Sequence, residues 1–145
     1  MRYTVYMYSF LQPVQLDPSP TVAALASCTV RAGFPSPAED WAQERIDLGK
    51  LLMPHAACSF LVRSGGLSMQ EAGIDEGDLL IVDKYLKAQH GDIVIAIVDN
   101  EFMVRYLAHD KSGFYLKPGN KAYAPIRTKD HLEVFGLVVG SFRKY

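Results

Sequence analysis

Beyond Ser59 the chain is a succession of short apolar runs separated by turn residues: Phe60-Leu61-Val62, Leu79-Leu80-Ile81-Val82, Ile93 to Val98, Glu101 to Leu107, Phe114 to Leu116 and Leu132 to Val139. Runs this short, rich in Val, Ile and aromatic residues, are strand signals. Only Asp99-Asn100 stands between the third and fourth runs, and both residue types tolerate the left-handed backbone that a two-residue hairpin demands. The run from Glu101 alternates, putting Phe102, Val104 and Tyr106 on one face and Glu101, Met103, Arg105 and Leu107 on the other. Gly73, Gly77, Gly91, Gly113, Gly119, Gly136 and Gly140, with Pro118 and Pro125, read as turns or breaks. The pattern predicts a mainly β body, antiparallel, with short helices.

The segment before this body reads differently. Pro13, Pro18, Pro20 and Pro35 punctuate it, and neither strand nor helix periodicity persists. Residues 1–36 are therefore expected to form an arm, and Tyr3, Tyr6, Tyr8 and Phe10 suit its start to docking as an extended strand. Ser36-Pro37-Ala38-Glu39 supplies a cap, a proline at the first helical position and a glutamate three residues after the cap, which predicts a short helix around Trp41. Leu51-Leu52-Met53 adds an apolar turn that Pro54 stops, and residues 37–145 make up the expected body.

Composition narrows the classes. With 145 residues, 49% hydrophobic and 21% charged, the chain has apolar material for one core, which excludes a wholly disordered protein. Its 15 basic and 16 acidic residues leave a formal charge of −1, too little for a sequence-independent grip on nucleic-acid phosphates, so direct specific DNA binding is not expected. Leu25-Ala26-Ser27-Cys28 looks like a lipoprotein processing site, but Gln12, Pro13, Gln15, Asp17, Pro18, Ser19 and Pro20 interrupt the apolar core such a signal needs. No run approaches the roughly 18 apolar residues of a membrane-spanning helix, so no membrane partner is expected. Cys28 and Cys58 fit reduced thiols, and the cytoplasm is the expected compartment.

Candidate chemistry centres on Gly66-Leu67-Ser68-Met69. Glycine-lined backbone exposes Ser68 as a nucleophile, with the main-chain N–H groups of Ser68 and Met69 available to hold an oxyanion. The same stretch, Ser68-Met69-Gln70-Glu71, equally spells a capping box, in which the serine only caps a helix. A nucleophilic serine needs a proton acceptor. His55, His90, His109 and His131 stand in loops or turns or beside aspartates and read as surface histidines. None stands at metal-ligand spacing with either cysteine, so neither metal nor cofactor is expected. Lysine is the other base that serine enzymes use, and it works only where burial lowers its pKa.

Five stretches, in order, carry a resemblance: Ala32-Gly33-Phe34-Pro35-Ser36-Pro37-Ala38, Gly66-Leu67-Ser68-Met69, Gly77-Asp78-Leu79-Leu80-Ile81-Val82-Asp83, His90-Gly91-Asp92-Ile93-Val94-Ile95-Ala96 and Val134-Phe135-Gly136. From about residue 31 onward the chain resembles the LexA/UmuD family of self-cleaving serine peptidases, in particular its UmuD-type branch of accessory subunits of SOS translesion DNA polymerases. The resemblance implies a curled antiparallel β-sheet body of the LexA and signal-peptidase kind, with an extended N-terminal arm that can lie across the serine cleft. It also implies a homodimer that meets the RecA filament and an UmuC-type polymerase and regulates lesion bypass. Carried over residue by residue, the scissile bond is Ala32-Gly33, the nucleophile is Ser68, and the position of the lysine general base falls at Arg105.

A guanidinium stays protonated and cannot take the serine proton. Loss of a positioned base typically costs ~10²–10⁴ in rate, so self-cleavage is expected to be absent or severely slowed. Leu67 also departs from the small or polar residue usual before the serine. Lys84, Lys87 and Lys111 stand among polar turn residues, where an exposed ammonium is expected rather than a substitute base. A second reading keeps the fold and drops the chemistry: an inactive interaction module for polymerase binding or dimerisation. A LexA-like repressor would need a DNA-binding region before Ala32, where prolines interrupt the chain and no helix-turn-helix pattern appears.

Overall fold

The computed structural model describes residues 20–26, 43–128 and 132–145, in two compact units that divide between Pro54 and His55. In the first unit, β1 (Val22–Ala26) pairs antiparallel with β2 (Gln43–Asp47), with Val22 opposite Asp47. Asp47 then caps α1 (Leu48–Leu52), its carboxylate accepting from the amides of Gly49 and Lys50, which satisfies two N–H groups that a helix start leaves without partners. Regular structure occurs at 22–26, inside the expected arm, and residues 43–47 are strand. Each strand satisfies its backbone through a partner distant in sequence, and such pairing overrides local signals. The helix start at Ser36, Trp41 itself and the first ten residues lie outside the described residues.

The second unit is a six-stranded sheet in the order β3-β4-β8-β5-β6-β7: β3 (Ser59–Arg63), β4 (Leu79–Asp83), β5 (Ile93–Val98), β6 (Glu101–Asp110), β7 (Gly113–Lys117) and β8 (Glu133–Phe142). Every neighbouring pair is antiparallel. β4 and β5, the uninterrupted apolar runs, are buried along nearly their whole length. The β5–β6 hairpin turns on Asp99 and Asn100, with φ of 50° and 65°, as a two-residue turn of this hand requires.

Alternation along the strands divides the apolar side chains between two clusters. One gathers Leu80, Val82, Ile95 and Val104 with Met69 and Ile74. The other gathers Val94, Ala96, Val98, Leu107 and Leu116.

Gly136 and Gly140, read from the sequence as turns or breaks, sit inside β8 beside register shifts in its ladders with β5 and β4. At Gly136 a Cβ would come within 2.6 Å of Val82 Cγ1, so close approach of a neighbouring strand, not a turn, excludes a side chain.

The end of β8 is clamped to the turn before β4. Arg143 Nε and Nη2 donate to the two carboxylate oxygens of Asp78 at 2.6 and 2.7 Å, and Nη2 also lies 2.8 Å from Asp75. The bidentate guanidinium and the Asp75 amide outweigh burial and hold the Asp78 carboxyl down at about 2, against an ordinary 3.8.

Candidate functional site

β3 ends at Arg63, and the chain turns through Ser64-Gly65-Gly66-Leu67 to Ser68, with Gly66 in the left-handed region at φ 77°. Two backbone bonds pin this loop to the start of β4: Ser64 N–H to Asp78 O at 2.7 Å, and Gly77 N–H to Ser64 O at 2.8 Å. The Asp78–Arg143 clamp therefore steadies the same turn that anchors the serine loop.

Ser68 is buried, with 6% of its surface exposed. The capping-box reading is overturned. The helix that follows is a single 3₁₀ turn, Gln70–Ala72, whose cap position is Met69, and no side chain caps it. Ser68 sits one residue too early to cap, which leaves its hydroxyl for another partner.

A second loop underpins the serine turn. Asn120 Nδ2 donates to Leu67 O at 2.8 Å, Glu71 N–H donates to Gly119 O at 2.6 Å, and Gly119 N–H points at the buried Met69 sulfur at 3.2 Å. Gly119 was read as a turn. Its place here also demands the absence of a side chain, since a Cβ would meet Ala72 Cβ at 2.8 Å. Asn120, Gly119 and the nearby Tyr123 escape sequence reasoning as site residues, because the turn signal in Lys117-Pro118-Gly119-Asn120 does not say what the turn packs on.

Opposite the serine stands Arg105, from β6. Its Nη1 donates to Ser68 Oγ at 2.5 Å and to Val104 O at 2.7 Å. Its Nε is buried without a hydrogen-bond partner. Among the described residues no carboxylate lies within ion-pair distance of the guanidinium. Burial pushes the pKa of Arg105 below its ordinary value, with Tyr123 opposing, yet a guanidinium remains a cation and a donor.

Val62, Leu80, Ile95 and Phe102 give the cleft around this pair apolar walls, and Arg63, Glu101 and Tyr123 join them around a volume of about 390 Å³. Among the described residues no lysine lines it. Lys84 Nζ instead lies 4.4 Å from the centre of the Phe135 ring, and Lys87 and Lys111 are exposed.

The described histidines lie elsewhere. His55, expected at the surface, is half-buried and holds Asp83 Oδ2 at 2.7 Å through Nδ1. Burial disfavours ionisation of Asp83, but His55 and the amides of Tyr85 and Leu86 outweigh it and hold the carboxyl below its ordinary range. β4 ends on the buried carboxylate of Asp83, and the turn leading into β3 sets His55 beside it. His90 Nδ1 accepts from the His109 amide at 2.9 Å, and both residues are exposed. Cys58 is a free, half-buried thiol. Ala32, Gly33, Cys28 and His131 lie outside the described residues.

An antiparallel β body with a buried serine on a glycine-lined loop, facing a strand across an apolar cleft, has the LexA-type peptidase architecture. Residues 24–139 match the family described as Peptidase S24-like, and the chain belongs to that family and to its LexA/UmuD group. It is 41% identical to protein SamA of Salmonella typhimurium over 128 residues, which cover 88% of this chain and 90% of SamA. It is 51% identical to protein ImpA of Escherichia coli over 77 residues, 53% of each chain. With the LexA repressor of Acetivibrio thermocellus it shares 42% identity over 85 residues, 59% of this chain and 40% of the repressor.

Proposed function

We propose that this chain is an UmuD-like SOS-response protein that regulates translesion DNA synthesis, and that its family's self-cleavage at Ala32-Gly33 is suppressed by Arg105. In this reading it works in the cytoplasm as a homodimer that engages an UmuC-type polymerase and the RecA filament. Family membership supports the first part. The single observation that carries the second is the 2.5 Å hydrogen bond from Arg105 Nη1 to Ser68 Oγ.

Self-cleavage would form a bond from Ser68 Oγ to the carbonyl carbon of Ala32 and expel the amine of Gly33. The hydroxyl proton must pass to an acceptor as that bond forms. Arg105 offers only N–H donors, and by donating to Oγ it engages a lone pair that attack would use. The Ser68 and Met69 amides are the proposed oxyanion donors, and among the described residues neither donates to another backbone carbonyl. The cleft thus offers amides to stabilise an oxyanion, while Arg105, at the lysine position, can take no proton. The arm, residues 1–36, then stays attached, and the full-length chain is the working form.

Incubation of the purified full-length chain at alkaline pH, with and without activated RecA filament, tests this. The chain is expected to stay intact over times in which a lysine-bearing relative is cut; prompt scission at Ala32-Gly33 would refute the proposal.

A further inference from the structure

A half-buried cation with no carboxylate within ion-pair distance among the described residues is an unusual thing to keep in a cleft. Burying a charge is costly unless it is paired. Arg105 offsets that cost with two hydrogen bonds, both from Nη1 and both to neutral oxygens. Its Nε is orphaned, and Nη2 bonds to no described group.

Charge in the cleft is uneven as well. The lining includes Arg105, one exposed carboxylate, Glu101, which does not pair with it, and the exposed Arg63, whose Nη1 donates to Gly77 O. The direction of the Arg105–Ser68 bond adds a further donor. With Oγ accepting from Nη1, the serine's own proton points elsewhere and is free to donate. A guanidinium and a hydroxyl proton held side by side form a two-point site for a carboxylate. Val62, Leu80, Ile95 and Phe102 provide apolar contact for whatever carries that carboxylate, which suits the side chains of a short peptide better than a bare ion.

We propose that the Ser68 cleft is a binding site for a peptide carboxylate, with Arg105 supplying the charge and Ser68 a hydrogen bond beside it. The carboxylate belongs either to a chain end or to an acidic side chain. The inference rests on the Ser68–Arg105 geometry and does not require the loss of cleavage.

The test is a calorimetric titration of the full-length chain at low salt with three peptides: acetyl-Leu-Val-Ala with a free carboxylate, the same peptide as its C-terminal amide, and acetyl-Leu-Val-Asp amide. One or both acids are expected to bind about tenfold or more tighter than the neutral amide. Preference for the first acid assigns a chain end, and preference for the second assigns an acidic side chain. In Arg105→Gln the preference for acid is expected to vanish, and in Arg105→Lys to survive in part, with thermal unfolding of both variants establishing that they are folded. Equal binding of acid and amide, no binding of any peptide up to millimolar concentration, or an acid preference that persists in Arg105→Gln would each overturn the site. Scission in the RecA incubation would refute the loss of cleavage and leave this preference to be judged by the titration alone.

Discussion

Arg105 Nη1 lies 2.5 Å from Ser68 Oγ and can only donate to it. In a serine–lysine arrangement the proton would move the other way, from oxygen to a neutral amine. In the proposed reading, the position of the base is held by a group that keeps its protons. Arg105→Lys is expected to raise the rate of scission at Ala32-Gly33 by ~10²–10⁴, more so as pH rises and the amine loses its proton, and Ser68→Ala in the same chain should abolish it. Mass spectrometry of timed samples gives the rate. A lysine variant as inert as the parent would favour the interaction-module reading.

The same guanidinium weighs on stability. Its Nε is buried and unbonded, so Arg105→Met, which fills similar space without a charge, is expected to stabilise the fold by about 1 kcal/mol. Urea unfolding measures the difference, and a loss of stability would show that the cation is better satisfied than its contacts indicate.

Gly119 and Gly136 are held to glycine by their neighbours. A methyl at Gly136 would strike Val82 Cγ1 at 2.6 Å, and one at Gly119 would strike Ala72 Cβ at 2.8 Å, with Met69 Cα only 3.3 Å away. Each alanine substitution is expected to cost about 1–3 kcal/mol. Only Gly119→Ala should also disturb the serine loop, as a changed reactivity of Ser68 toward a fluorophosphonate probe in an Arg105→Lys background. Unchanged melting temperatures in both variants would contradict these contacts.

Acid should loosen the body. Asp78 is held at about 2 in the fold against an ordinary 3.8, and Asp83 is lowered too. A depressed carboxyl contributes stability that is complete above its unfolded pKa and lost as pH falls toward its folded pKa. Denaturation midpoints should therefore hold steady down to about pH 4 and fall between about pH 4 and 2. Asp78→Asn should flatten part of that decline, and an equal slope in the variant would mean that the Arg143 clamp contributes little.

The sheet was legible because its signals are local. Asp99-Asn100 between two apolar runs favours a two-residue hairpin, and the short, β-branched runs at Leu79 and Ile93 suit buried strands. The β1–β2 pair was not legible. Val22-Ala23-Ala24-Leu25-Ala26 and Gln43-Glu44-Arg45-Ile46-Asp47 have no shared alternation, and their strand form comes from pairing with each other. Ser68 and Arg105 could be named from a resemblance, but the 2.5 Å contact between them could not. Asn120 and Gly119 act on the serine turn from some fifty positions away, and His55 finds Asp83 from 28. Contacts of that range leave no imprint on neighbouring residues.

β8 is the last strand in the chain and lies between β4 and β5, which make no ladder with each other. A ribosome must therefore deliver residues 133–142 before the sheet can close. Until then two of its most apolar strands present bare flanks, the kind of surface on which nascent chains stick to one another. Translational stalling anywhere after β5 would leave a sticky intermediate in place of a partly working domain.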